Sequence, residues 1–144
     1  MTAIKRIELS IRTGDQPDAG MDDGEIYLGL AGREFHVDSP GDQFIPGRED
    51  TFIFTHGPGA NVTDPKDNDP TDPWQIDSDD ISRCPRYIRF EPRRGDGGGI
   101  EEWNVAFVRL TVRFGNSTFT EDRLGGGANL WMGGEFKSRY LYFS

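Results

Sequence analysis

Cysteine is almost missing from this chain. Cys84 stands alone, so neither an internal disulfide nor a thiolate metal site can form. Long apolar runs are missing too: none approaches the roughly 20 residues that a helical membrane span requires. No secretory leader is visible, because Met1 to Arg6 runs straight into a strand-like stretch, and the chain as written is expected to be soluble. Helical periodicity is a third absence, since no stretch keeps it for more than about two turns. Positive charge is scarce, with 16 Lys and Arg against 25 Asp and Glu and a net charge of −9. That balance argues against a nucleic-acid backbone as the ligand and for cations or basic partners, although solubility alone also accounts for it.

What the chain does have is glycine and rings: 19 Gly, ten Phe, four Tyr and three Trp in 144 residues. Short aromatic-rich strands joined by Gly, Pro and Asp turns predict an all-β sandwich or barrel, and the length fits one domain. Ile7, Leu9 and Ile11 alternate with Glu8, Ser10 and Arg12, the period of a half-buried strand. Further strands are predicted at Glu25 to Leu30, Arg33 to Val37 after an Ala31-Gly32 turn, Asp50 to Thr55, Tyr87 to Glu91 and Phe107 to Phe114. A short one at Phe119 to Asp122 follows the Gly115-Asn116 turn, and Leu130 to Met132 with Tyr140 to Phe143 closes the sheet. About eight strands at these spacings suggest two packed sheets.

Between the first two strands lies Thr13-Gly14-Asp15-Gln16-Pro17-Asp18-Ala19-Gly20-Met21-Asp22-Asp23, with four carboxylates and two glycines. Ca2+ takes six to eight oxygens from carboxylates and backbone carbonyls, and glycine lets a chain curl tightly enough to aim carbonyls inward. The same residues are good turn formers, so a plain turn is the alternative. Asp38-Ser39-Pro40-Gly41-Asp42-Gln43 is a second acidic turn. From His56 to Ser82 the strand pattern lapses into a long acidic loop with seven aspartates and four prolines, functional or else a solvated excursion. Arg83, Arg86, Arg89, Arg93 and Arg94 are the concentrated positive charge, able to grip phosphate or an acidic partner, or to neutralise the acidic loop. His36 and His56 sit in no recognisable arrangement with a nucleophile, so the chain is expected to be non-catalytic. Trp103 and Trp131 are expected in the core, leaving Trp74 as the surface candidate for a sugar platform. Asn61-Val62-Thr63 and Asn116-Ser117-Thr118 are sequons.

The order Thr13-Gly14-Asp15, Asp18-Ala19-Gly20, Tyr27-Leu28-Gly29, Asp38-x-Pro-Gly-x-x-Phe44 and Gly47-x-x-Asp50-x-Phe52-x-Phe54 resembles the PLAT, or lipoxygenase-homology, domain. Within that family it is most similar to the carboxy-terminal calcium-binding domain of bacterial alpha-toxin phospholipases C. The match covers roughly the first 55 residues closely and Trp103, Val105, Val108 and Leu130 to Met132 more loosely. The resemblance implies an antiparallel eight-stranded β-sandwich, PLAT-like, with the 56–82 loop as an insertion. It also implies calcium-binding loops at one end that dock on a membrane or a protein. Carried over, Asp18 and Gly20 belong to one ion site completed by Glu101 and the Glu102 carbonyl. Met21 through its carbonyl, Asp22, Asp38, Ser39 and Gly41 shape a second, with Asp42 beside Gln43, which stands where the family carries an acidic ligand. Glu101 replaces an aspartate, and the loop at Arg93 to Gly99 lacks the family's aromatics. The implied role is a calcium-binding module in protein interaction or assembly, with a basic partner or itself, or alternatively calcium-dependent lipid binding. Arg83, Arg86, Arg93, Arg94 and Trp74 are the candidate contact residues. If calcium is used, an extracellular or calcium-rich setting is expected.

Overall fold

A computed structural model describes residues 1–21, 23–93, 100–134 and 137–143. Nine strands and one short helix follow in the order β1 (Ile4–Thr13), β2 (Gly24–Leu30), β3 (Arg33–His36), β4 (Glu49–Thr55), α1 (Asp80–Arg83), β5 (Tyr87–Pro92), β6 (Glu102–Phe114), β7 (Ser117–Leu124), β8 (Leu130–Gly133) and β9 (Tyr140–Tyr142). They form two antiparallel sheets. One runs β4-β1-β6-β7, and the other β3-β2-β5-β9. β8 pairs with the Glu102 to Val105 end of β6 while β7 pairs with its Phe107 to Phe114 end. The two short strands thus share one edge of β6, broken at Gly125 to Gly127, whose three residues all have positive φ. Among the described residues the sandwich has nine strands, five in one sheet and four in the other, where about eight were expected.

Period-2 alternation sets the interior. Ile7, Leu9 and Ile11 of β1 turn inward with Val108, Leu110 and Val112 of β6 and Phe52 and Phe54 of β4; Ile26, Leu28, Phe35, Ile88, Phe90 and Leu141 face them from the other sheet, all buried. Trp103 plugs the end near the acidic turns, edge-on to Phe44 at 5.2 Å and Phe90 at 5.7 Å. Its indole N–H donates to Thr13 Oγ1 at 3.2 Å, so this large ring is buried without an orphaned donor. Trp131, expected inside, is only half-buried, because β8 sits at the sheet edge and turns Met132 inward instead. The β2–β3 turn uses Ala31 at φ 52° and Gly32 at φ 80°, the paired left-handed residues of a tight hairpin.

The 56–82 stretch is no loose excursion. Val62, Ile76 and Ile81 are buried against the sandwich, and Ile4 N donates to Ile76 O at 3.1 Å while Ser78 N donates to Thr2 O at 2.8 Å. Arg33 is the post around which it winds: Nη1 donates to Asp69 O at 2.6 Å and Trp74 O at 3.3 Å, and Nη2 to Asp67 O at 3.1 Å and Asp72 O at 2.8 Å. Two asparagines tie the stretch to sheet edges. Asn61 receives Ile53 N–H at 2.7 Å and donates to Thr51 O at 2.8 Å along β4, and Asn68 receives His36 N–H at 2.7 Å on β3.

Candidate ion-binding end and contact surfaces

The acidic turn after β1 is clamped between two other segments. Gly14 N donates to Asn104 O at 2.9 Å, Asn104 N to Ala19 O at 2.9 Å, and Met21 N to Phe44 O at 3.2 Å. Gly20 is required by that fit, since a Cβ there would stand 2.8 Å from the Phe44 carbonyl. Asp23 N–H donates to both Glu101 carboxylate oxygens, at 3.1 and 2.9 Å. These bonds lay the Asp18 to Gly20 turn on the start of β6. Glu101 O accepts from Gly134 N at 2.8 Å on the β8 side. Alternation along the strand therefore turns the Glu102 carbonyl to the opposite side, where Asn104 N already reaches Ala19. Asp18 is exposed, and the Glu102 carboxylate points away to Lys137 Nζ at 3.5 Å. Carboxylates from Asp18 and Glu101 with carbonyls from Gly20 and Glu102 are oxygen donors of the kind calcium takes, so the chemistry of the first set suits the ion. Asp22 lies outside the described residues.

The second set meets an obstacle. Met21, Asp38, Gly41 and Asp42 line one open cavity of about 370 Å³ beside Gln43 and Ile45. Gln43 Nε2 donates to the carbonyls of Ser39 and, at 2.5 Å, Gly41, while its Oε1 receives Ser39 N–H at 3.2 Å. An amide N–H2 group thus occupies the carbonyl crown that the resemblance gives to a cation. The Asp42 carbonyl is taken by Arg48, whose guanidinium also holds Asp50 at 3.1 Å. Ser39 Oγ is left buried without a partner. As arranged, this set does not fit calcium. Among the described residues no group of three or more His, Cys, Asp or Glu side chains converges in a way that would hold a metal.

The arginines are dispersed into pairs. Arg86 holds Glu121 at 2.8 Å and Ile81 O at 2.6 Å, Arg93 holds Glu25 at 3.1 Å, and Arg83 reaches Asp80 at 4.0 Å. Arg83 thus meets a carboxylate of the 56–82 stretch, Arg86 one of β7, and Arg93 one of β2 together with Asp23 of the acidic turn at 4.0 Å. Arg94 lies outside the described residues, as does the rest of the tip through Gly99. Trp74 is 60% exposed, with the Arg33 guanidinium 5.4 Å from its ring centre. His36 donates to Glu25 at 2.5 Å and His56 to Asp69 at 2.6 Å, so each histidine is paired with a carboxylate.

No protein-family model matches the sequence, and no curated protein sequence matches it. Solved structures do. An alpha-toxin from Clostridium absonum superposes with a TM-score of 0.59 at 19% identity, over 99% of this chain and 32% of the toxin. The fold is PLAT-like. An engineered lipoxygenase gives 0.56 at 14% identity, over 97% of this chain and 16% of its own. The alpha-toxin of an avian Clostridium perfringens strain gives 0.50 at 18% identity, over 92% of this chain and 32% of that one. The PLAT-like sandwich therefore spans about a third of each toxin and about a sixth of the lipoxygenase, and at these identities the likeness is one of fold.

Sequence reading placed the acidic turns and Glu101 at one end but missed two features. One is Arg33, whose partners are backbone carbonyls and leave no mark in the sequence. The other is the tyrosine alignment across β2, β5 and β9, for which register was needed.

Proposed function

We propose that this chain is a non-catalytic, calcium-binding β-sandwich module that acts in protein–protein interaction or assembly. The observation that carries the calcium reading is the Asp18 to Gly20 turn docked on β6 with the Glu102 carbonyl turned toward it. Asp18, Glu101 and the carbonyls of Gly20 and Glu102 would hold the ion. Bound calcium would neutralise carboxylates that otherwise repel and would lock the two segments together. For a partner, the module offers exposed Asp64 and Asp72 with half-exposed Asp77, Asp79 and Asp80 along one segment, a surface suited to a basic protein. A second reading, docking on a lipid surface through calcium, is favoured by one observation: Ile45, 40% exposed, stands on the rim of the cavity at the ion end.

Thermal unfolding in excess EDTA, then in CaCl2, with MgCl2 as control, tests the calcium reading. A ligand at about ten times its dissociation constant stabilises the native state by about 1.4 kcal/mol, a rise of a few degrees in a domain this size. The rise should be specific to calcium and absent in Asp18→Ala. No shift up to about 10 mM, ten times the dissociation constant of about 1 mM that marks the weakest extracellular sites, overturns the ion. Flotation with phosphatidylserine vesicles separates the two dockings, since calcium-dependent flotation is expected of the lipid binder alone.

A further inference from the structure

The outer face of the β3-β2-β5-β9 sheet carries rings where its inner face fills the core. Register sets them in two rows. Glu34, Gly29, Tyr87 and Tyr142 cross the four strands in one, and His36, Tyr27, Arg89 and Tyr140 in the next. Gly29 explains why the first row is flat: a Cβ there would lie 2.2 Å from atoms of the Tyr87 ring, so the ring rests on bare backbone. Tyr140 and Tyr142 stack 5.6 Å apart with planes 10° from parallel, and Tyr87 meets them edge-on at 5.4 and 6.0 Å. The two outer rings are 40% and 53% exposed. Beyond them two shallow cavities of about 330 and 440 Å³ share Gly32, Arg33 and Glu34. Tyr87 borders the first and Trp74 the second, so the two adjoining cavities lead over glycine backbone from Tyr87, against which Tyr140 and Tyr142 pack, to Trp74.

Charge narrows the occupant. Arg89 is spent on Glu34, at 2.9 and 3.0 Å, and on Glu91 at 3.1 Å. The Arg33 guanidinium faces four carbonyls. Glu34 is neutralised by Arg89 in turn and also accepts the Tyr87 O–H at 2.8 Å, which leaves the exposed carboxylate of Asp67 along the groove to repel anions and welcome hydroxyl donors. An extended peptide would need a free strand edge to pair with, but Asn68 occupies the His36 N–H on β3, and on the β9 edge Ser138 Oγ receives the Tyr140 N–H at 3.1 Å while Arg123 donates to Tyr142 O at 2.8 Å. Rings in a row, a glycine floor and a hydroxyl acceptor match the flat, many-hydroxyl faces of sugar rings. We infer that the groove from Tyr142 to Trp74 binds a linear, uncharged polysaccharide, with Tyr140, Tyr142 and Trp74 as stacking platforms and Asp67 as a hydroxyl acceptor. This surface is separate from the calcium end and stands whether or not calcium binds.

Native affinity electrophoresis tests it, with hydroxyethyl cellulose, mixed-linkage β-glucan, xylan and galactomannan each cast in the gel. The expected result is retardation by at least one polysaccharide, unchanged by EDTA. Binding to it should weaken about tenfold or more in the Tyr140→Ala/Tyr142→Ala double variant and in Trp74→Ala, both checked for wild-type melting. Migration unaltered by all four polysaccharides overturns the inference, as does retardation that both variants retain. A wild-type dimer in sedimentation velocity that the tyrosine variant dissociates also overturns it, because the face would then be a self-interface.

Discussion

At Gln43 one neutral side chain stands in for an ion. Its N–H2 group draws the Ser39 and Gly41 carbonyls together as a cation would, and Gly41 at φ 93° lets the second carbonyl turn inward. Gln43→Asp removes the donor and supplies a carboxylate. In EDTA it should melt below wild type, by about 1–3 kcal/mol for carbonyls left unpaired, and in CaCl2 it should gain more than wild type does; equal calcium gains would mean that the loop cannot take an ion. Tyr87 is a second residue with a measurable signature. Burial, and then its hydrogen bond to Glu34 at 2.8 Å, push its phenol up to about 12. A phenol raised above its unfolded value of about 10 gives stability that is complete below that pH and is lost as pH rises toward the folded value. Ultraviolet titration should find one of the four tyrosines ionising near pH 12, earlier in Glu34→Gln. The identity of Gln43 as a departure was legible in the sequence. Its grip on the turn was not, since that depends on a turn geometry no spacing reveals.

Among elements, the 56–82 stretch departs most from its reading. Aspartates and prolines spell a solvated loop, yet the segment is held by one cation from β3 that reaches four of its carbonyls. Backbone acceptors are the same in every residue, so the sequence carries no trace of the arrangement. Arg33→Met keeps much of the stem and removes the donors. It should cost about 1–3 kcal/mol for each carbonyl left buried without a donor, and open the stretch to proteases between His56 and Ser82 first. Urea unfolding and limited proteolysis read both effects; a variant as stable and as resistant as wild type would show the Arg33 bonds to be idle. The strands, by contrast, were legible. β1 and β6 announce themselves by alternation, and β6 begins five residues before its predicted start because Trp103 and Val105 continue the same inward face.

For the molecule as a whole, the two-sheet sandwich followed from strand count and patterning, and the clustering of acidic turns at one end followed from family resemblance. What no linear reading supplies is alignment across strands. Tyr27, Tyr87 and the Tyr140 and Tyr142 pair are far apart in sequence and come together through the pairing of β2, β5 and β9. The surface chemistry is therefore divided in space: acidic turns at one end, an acidic flank along 56–82, and aromatic rings on one outer face.

The asparagines at the sheet margins bear on how the protein behaves in a crowded solution. An open strand edge is a template on which further chains can add, ending in fibrils. Asn61 presents an amide to β4 in the manner of a neighbouring strand, receiving Ile53 N–H and donating to Thr51 O. The mimic ends there and offers no ladder for another molecule to extend. Asn61→Ala should leave the fold intact yet shorten the lag before light scattering rises at high concentration, with thioflavin fluorescence following; a lag equal to wild type would mean that other features guard that edge. Shelf life, on this view, is written into a side chain that touches no ligand at all.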